Sequence, residues 1–271
     1  MHLQRNIDTL VEWSETWMMK FNSQKCKVLH IGKNNPQHKY YMNDGDGARE
    51  LDITIAEKDL GIIIDPNLSF DTHINEIVKK CNRLSGMLIR TMTNLTPKIM
   101  IPLFKSLVRP VLEYGNSVWN PFLRKHIDLI EGVQRSFTRR LVKVQKLSYE
   151  KRLKKLKLPS LEYRRFRGDL IEVFKITHDL YDPSTINHLL PLFNNNRTRG
   201  HKFKLKKIAC KSRLVQNFFS NRIVNVWNNL GEDIVNRESL NSFKNDIDHL
   251  FSEHMYATNF GDKIQIREDF D

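Results

Sequence analysis

The chain has 271 residues and 40% hydrophobic content, enough to bury one large core or two modest ones. It contains no run of about 18 apolar residues of the kind that spans a bilayer, and its start, MHLQRNIDTL, lacks the apolar stretch and small-residue cleavage site of a secretory leader. An intracellular protein, nuclear or cytoplasmic and neither secreted nor membrane-bound, is expected. With 44 Lys+Arg against 31 Asp+Glu it carries a net charge of +13. Its three cysteines, Cys26, Cys81 and Cys210, are too scattered for a disulfide framework or a zinc site and read as reduced thiols.

From Leu3 to Phe21, the apolar residues Leu3, Ile7, Leu10, Trp13, Trp17 and Phe21 recur at spacings of three and four, predicting an amphipathic helix. Core packing is the expected role of Trp13 and Trp17. A periodic segment that opens at the first residues predicts that structure preceding it is missing. Cys26–Ile31 has strand character, Gly32–Glu50 is rich in turn formers, and Leu60–Ile64 reads as a short buried strand ended by Asp65-Pro66.

From Asp71 the pattern is helical almost throughout. Thr96 and Pro97 form an N-cap and N1 pair. The helix they open carries Met100, Phe104, Leu107, Val108, Val111 and Leu112, with kinks expected at Pro102 and Pro110. Ile127, Ile130, Val133, Phe137, Leu141 and Val144 then make one apolar stripe. Arg135, Arg139, Lys143 and Lys146 fall on another face, so one helix is expected to present a core side and a basic side.

A further helix is predicted over Leu161–Tyr181, ended by Asp182-Pro183. Pro183–Ser212 breaks the organisation. Within it His201–Lys206 alternates basic with apolar residues, as an edge strand or extended arm would. Amphipathic helices are predicted over Leu214–Leu230 and Leu240–Phe251, followed by an acidic, frayed tail ending in Asp269-Phe-Asp271.

The positive charge is concentrated. Arg135–Lys175 holds 14 basic and 4 acidic residues, and Arg197–Arg213 holds 8 basic and none acidic, so these segments carry +18 and the remainder −5. Such clusters point to a polyanion, because cations placed on a phosphate backbone release its counterions. The alternative is a solvated helix face that keeps the protein soluble.

Six strings in order carry a family resemblance: LQRNIDTLVEWSETWMMKFNSQKCKVLHIG, EKDLGIIID, KSLVRPVLEYGNSVWNP, IEGVQRSFTRRL, YEKRLKKLKLPSLEYRRFRGDLI, and the stretch from Trp227-Asn-Asn-Leu230 to Ser239–Lys244. Together they resemble the later part of reverse transcriptases of LINE-type, non-long-terminal-repeat retrotransposons, particularly the jockey-like group.

The resemblance implies the end of a palm, a thumb and a tail, with template-primer RNA and DNA as partners and the missing palm and fingers as further ones. It implies that Leu60, Gly61 and Ile62 belong to a hairpin gripping the primer end, and that Lys25 lies near the departing pyrophosphate as an accessory group. The family's YxDD-type hairpin and its further upstream aspartate are absent from this sequence.

Nucleotidyl transfer uses two Mg²⁺ ions held by carboxylates on a rigid hairpin. Mg²⁺ is therefore expected only for the complete enzyme, and no cofactor for this chain. Asp44-Gly-Asp46-Gly47 reads as a solvated turn, and there is no phosphate-binding loop, HExxH or metal-spaced histidine set.

The expected fold is α+β, mainly α: a palm remnant over 1–66, a helical thumb over 67–182 and a small helical region over 183–271. The chain alone is expected to be inactive as a polymerase. Its expected role is to contact phosphates through Arg135, Arg139, Arg140, Lys143 and Lys146, continued by Lys151, Arg152, Lys154, Lys155, Lys157, Arg164 and Arg165. Lys202, Lys204 and Lys206, with Lys207, form a second basic candidate. A non-catalytic nucleic-acid-binding module, or a protein-interaction module using an exposed apolar face on the first helix, is the alternative.

Overall fold

The chain divides into two units, Met1–His73 and Ile74–Asp271, in a computed structural model that describes residues 2–43, 45, 47–182, 189–193, 201–210 and 212–263. The architecture is α+β and mainly α. Among the described residues no helix is long and apolar enough to cross a membrane.

In the first unit α1 spans His2–Thr16 and turns Val11 and Ser14 inward. Val11, Met42 and Leu51 form a small core, with Ile7, Cys26, Val28 and Tyr40 packed against it. The apolar stripe read from the sequence is mostly not the buried one. Leu3, Leu10 and Trp13 are about half exposed, and Trp17 is 64% exposed. Trp13 and Trp17 are therefore not core residues.

The helix also stops earlier than its periodicity suggests. Met18 adopts a left-handed conformation (φ 53°), its N–H donates to Glu15 O at 3.1 Å, and Met19 N–H donates to Ser14 O at 2.8 Å. That pair of bonds closes a helix end in which the left-handed residue is usually glycine, so the terminator is hidden in the sequence.

Among the described residues three two-stranded pairs complete this unit. β1 (Lys27–Leu29) pairs in parallel with β4 (Asp52–Thr54), and β2 (Tyr41–Asn43) pairs antiparallel with β3 (Ala48–Glu50) inside the segment expected to be loop. β5 (Glu57–Asp59) and β6 (Ile62–Ile64) form a hairpin. The expected strand over 60–64 thus begins only at Ile62. Leu60 and Gly61 are the two turn residues, both at positive φ (43° and 88°), as a two-residue turn matched to strand twist requires.

Beyond the hairpin the Asp65 carboxylate accepts from the N–H groups of Asn67, Ser69 and Phe70 and from Ser69 Oγ, at 2.7–3.1 Å. This local network sets the chain's entry into α2 (Asp71–Thr91).

In the second unit α3 (Pro97–Leu103) opens with Pro97 at its first turn and Thr96 as cap residue. It passes into a π-helical turn, Phe104–Val108, and then α4 (Arg109–Glu113). Pro110 has no N–H to offer the preceding turn, and the wider turn absorbs that loss. Met100, Phe104, Val108 and Leu112 remain fully buried. α5 (Asn116–Trp119) follows, then α6 (Arg124–Arg139), α7 (Tyr149–Leu156) and α8 (Leu161–Thr177).

α8 packs against α5, α6 and the later helices. Its Tyr163, Phe166, Leu170, Val173 and Phe174 share one core with Trp227, Phe243, Ile247 and Phe260. Full burial of each such aromatic stabilises by roughly 1.5–3 kcal/mol. Because this core joins residues on both sides of 182, that position does not separate two packed bodies.

The helix expected over Leu214–Leu230 is three short ones: α9 (Arg213–Gln216), α10 (Phe219–Arg222) and α11 (Val224–Asn228). Around the first break asparagine side chains add bonds to carbonyls that backbone N–H groups also reach. Asn217 Nδ2 donates to Arg213 O at 2.8 Å, and Asn221 Nδ2 donates to Val215 O at 3.0 Å. α12 (Glu232–Val235), α13 (Leu240–Leu250) and α14 (Phe260–Lys263) end the described chain. The expected tail at 269–271 lies outside the described residues, as does Asn194–Asn196.

Candidate functional site

Cations from α6, the turn after it and α7 form an exposed basic surface. Ile127, Ile130, Val133 and Phe137 are buried along α6, which leaves Arg135 and Arg139, one turn apart, exposed on another side. The helix ends at Arg139, not beyond Lys146. Residues 141–148 are an irregular turn with Lys143 at φ 70°. Leu141 and Val144 stay in the core, at 0% and 2% exposure, and pin that turn. Arg140, Lys143 and Lys146 are exposed around it, and Lys151, Lys154, Lys155 and Lys157 continue the surface on and after α7. The single two-faced helix expected from spacing is therefore a helix, a turn and a second helix.

None of these nine side chains forms an ion pair among the described residues. Lys155 Nζ reaches only the carbonyl of Lys143, at 3.4 Å.

Arg152 is different, and its expected place on the basic face is corrected. It is 5% exposed. Its guanidinium donates to Leu147 O (2.8 Å), Arg135 O (3.4 Å) and Thr138 Oγ1 (3.4 Å). It ties the last turns of α6 to the residue before the cap of α7, and near the end of α6 a cation also meets the negative end of the helix dipole.

Tyr149 has no mark in the sequence. Its ring lies beneath both Arg135 (5.0 Å) and Arg152 (5.4 Å). Its hydroxyl donates to the buried Glu131, which also accepts from Leu161 N–H at 2.8 Å. Burial raises Glu131 above the usual carboxyl range, against the opposing effects of the Tyr149 bond and the Arg165 charge. Burial and the Glu131 carboxylate push the Tyr149 phenol up. No spacing rule identifies this residue, because its partners converge only when α7 folds back on α6.

Arg164 and Arg165 also leave the expected surface. Arg164 forms a two-pronged ion pair with Glu113, with Nη2 to Oε2 at 2.7 Å. Arg165 is 2% exposed. The neighbouring Arg167 pairs with Asp248 at 2.6 and 2.8 Å, and Arg222 pairs with Asp169 at 2.8 Å through both prongs.

In the other basic segment Lys202 and Lys206 are exposed and Lys204 is half-buried. The stretch is no free arm. Leu205 bridges Leu192, Asn228 makes two bonds to the Leu205 backbone (2.8 and 2.9 Å), and Trp227 Nε1 donates to Phe203 O at 2.8 Å. Arg197, Arg199 and Lys211 lie outside the described residues.

A groove of about 650 Å³ runs between α2 and α6. Ser85, Gly86, Gly132 and Ser136 line it as small residues, and Arg90, Lys125 and Arg140 bring positive charge. It shares Arg140 with the basic surface.

In the first unit Leu60, at the hairpin tip, is 82% exposed, whereas Ile62 is 8% exposed and belongs to the interior. Ile62 is thus unavailable to a ligand, and Gly61 serves the turn geometry. Lys25 is exposed at the end of a 3₁₀ turn before β1. Among the described residues no three His, Cys, Asp or Glu side chains converge to hold a metal. Asp44 and Asp46 lie outside those residues. No transfer step is assigned to the described residues.

Part of this chain is distantly related to a mobile-element RNA-directed DNA polymerase. It is 28% identical over 143 residues to the "RNA-directed DNA polymerase from mobile element jockey" of Drosophila melanogaster, a match covering 51% of this chain and 15% of that protein. It is also 26% identical over 125 residues to an uncharacterized protein of Caenorhabditis elegans, covering 45% of this chain and 61% of that one. No protein-family profile and no solved structure matches the chain.

Proposed function

We propose that this chain is the nucleic-acid-holding, thumb-containing part of a retrotransposon reverse transcriptase. In this reading Arg135, Arg139, Arg140, Lys143, Lys146, Lys154 and Lys155 contact phosphates of a template-primer duplex. The observation that carries it is the contrast in pairing. The exposed cations over 135–157 form no ion pair among the described residues, while the arginines beside them on α8 are committed to carboxylates or buried. Unpaired cations on a fixed scaffold suit contact with any sequence, because phosphate contacts set position without reading bases.

The α2–α6 groove extends this track past Arg140, and the Leu60-Gly61 tip meets the primer end. Polymerisation itself is assigned to a longer polypeptide that supplies the metal-binding aspartates, with Lys25 accessory to it.

Fluorescence anisotropy of the purified chain with a primer-template duplex, titrated with salt, tests the phosphate contacts. Affinity should fall steeply with salt. Reversing three cations (Arg139→Glu, Lys143→Glu, Lys146→Glu) should make the log–log slope shallower by roughly two to three, near 0.9 for each phosphate no longer neutralised. An unchanged slope refutes the assignment of this surface.

A second reading, a protein-interaction module, is favoured by the exposed apolar residues of the first unit: Leu10, Trp13, Trp17, Met18 and Met19. Self-association insensitive to salt and abolished by Trp13→Ser with Trp17→Ser would support it over the first.

A further inference from the structure

α8 and α9–α11 enclose, with the segment from Asn120 to Ile127, a cavity of about 500 Å³, within the size range of small-molecule sites. Four arginines line it, Arg124, Arg165, Arg213 and Arg222, together with two carboxylates, Glu162 and Asp169.

Two of the arginines are neutralised. Arg222 holds Asp169 through both prongs at 2.8 Å, and Arg124 pairs with Asp128 at 2.9 Å and approaches Glu162 at 3.7 Å. Arg165 and Arg213 have no carboxylate within ion-pair distance among the described residues. Arg213 is exposed at the start of α9.

Arg165 is buried, and its Nε donates to Asn120 Oδ1 at 3.1 Å while its Nη1 has no hydrogen-bond partner. Glu131 is the carboxylate whose charge acts on it most strongly. The Glu131 oxygens accept from Tyr149 and Leu161, so its charge acts on Arg165 without a hydrogen bond to the guanidinium among the described residues. A buried guanidinium with a donor left unpaired is costly, and Arg165 lines the cavity.

We infer that this cavity is a binding site for a phosphate-bearing small molecule, whose phosphate sits between Arg165 and Arg213. A guanidinium offers a planar fork of donors to phosphate oxygens. Two arginines without a direct ion pair suit the several oxygens and the charge of a phosphate, about −1.5 to −2 at neutral pH, better than a single carboxylate. The site is separate from the phosphate-contacting surface over 135–157 and does not depend on that assignment.

Isothermal titration calorimetry of the full chain with inorganic phosphate tests it, with acetate and chloride at matched ionic strength as controls. The expected result is saturable binding of phosphate alone, weakened at least tenfold by Arg165→Gln and severalfold by Arg213→Ala. The variant Arg139→Glu with Lys143→Glu and Lys146→Glu should bind phosphate as the unaltered chain does. If Arg165→Gln fails to fold by circular dichroism, the exposed Arg213→Ala decides the matter. Absence of saturable binding, acetate binding of equal strength, unaltered binding by both arginine variants, or loss of binding in the triple variant would each overturn the inference.

Discussion

The basic segment 135–157 and the arginine cluster of α8 stand side by side in the sequence and look alike there, yet they differ in what their cations touch. Around α7 the exposed lysines and arginines form no ion pair among the described residues. On α8, Arg164 and Arg167 are held by Glu113 and Asp248, and Arg222 reaches back from α10 to Asp169. A cluster of like charge is thus two things at once: a surface with free positive charge, and a set of interior clamps whose counter-ions come from 51 to 81 residues away. Only the first can lend its charge to a partner without cost to the fold.

The two regions separate most sharply under substitution of a clamp. Arg222→Ala leaves the Asp169 carboxylate, 3% exposed, without its partner. It should destabilise the second unit by about 3–5 kcal/mol, the usual cost of stranding half of a buried pair. Chemical denaturation followed by circular dichroism would read this as a lower midpoint. A decrease under about 1 kcal/mol would mean that the pair is not buried in solution.

Arg152→Met is expected to cost somewhat less, about 1.5–3 kcal/mol, for hydrogen bonds from a charged group to the end of α6 and the turn after it. It should also lower duplex affinity indirectly, because the turn carrying Lys143 and Lys146 loses its anchor.

A smaller effect is expected from acid. Burial, the leading cause, holds His178 and His201 below their ordinary 6.5, aided by Lys202 and Lys204 respectively. Both are therefore neutral in the fold at pH values where the unfolded chain begins to protonate. Their contribution to stability is full above about pH 6.5 and is lost as pH falls through their depressed folded values. Melting temperature should decline between pH 7 and pH 5, and His178→Gln with His201→Gln should flatten that decline. An equally steep decline in the double variant would place its origin elsewhere.

The smallest effect sharpens the contrast from the other side. Lys154→Ala should shift stability by no more than about 0.5 kcal/mol and still weaken duplex binding measurably by anisotropy.

Much of the helical frame was legible from residue spacing. The stripe from Ile127 to Val144 is buried throughout, and Pro97 opens its helix as its type and position require. Three terminations were not legible. Met18 ends α1 in a conformation usually left to glycine, α6 stops at Arg139 although its apolar periodicity continues, and the predicted helix over 214–230 is broken into three short ones. In each case the deciding bonds are specific to the local backbone and leave the hydrophobic period intact.

Within the candidate site, exposed Arg135, Arg139, Arg140, Lys143 and Lys146 lie where charge clustering pointed. Arg152, Arg164 and Arg165 do not, and Tyr149 carries no signal in the sequence at all. By itself the sequence determined the positions of the apolar stripes and the places where positive charge gathers, because both are properties of neighbouring residues. Which cations remain free was decided by the tertiary structure. Their carboxylates arrive from other helices, and a guanidinium's worth to a ligand depends on whether a closer partner already holds it.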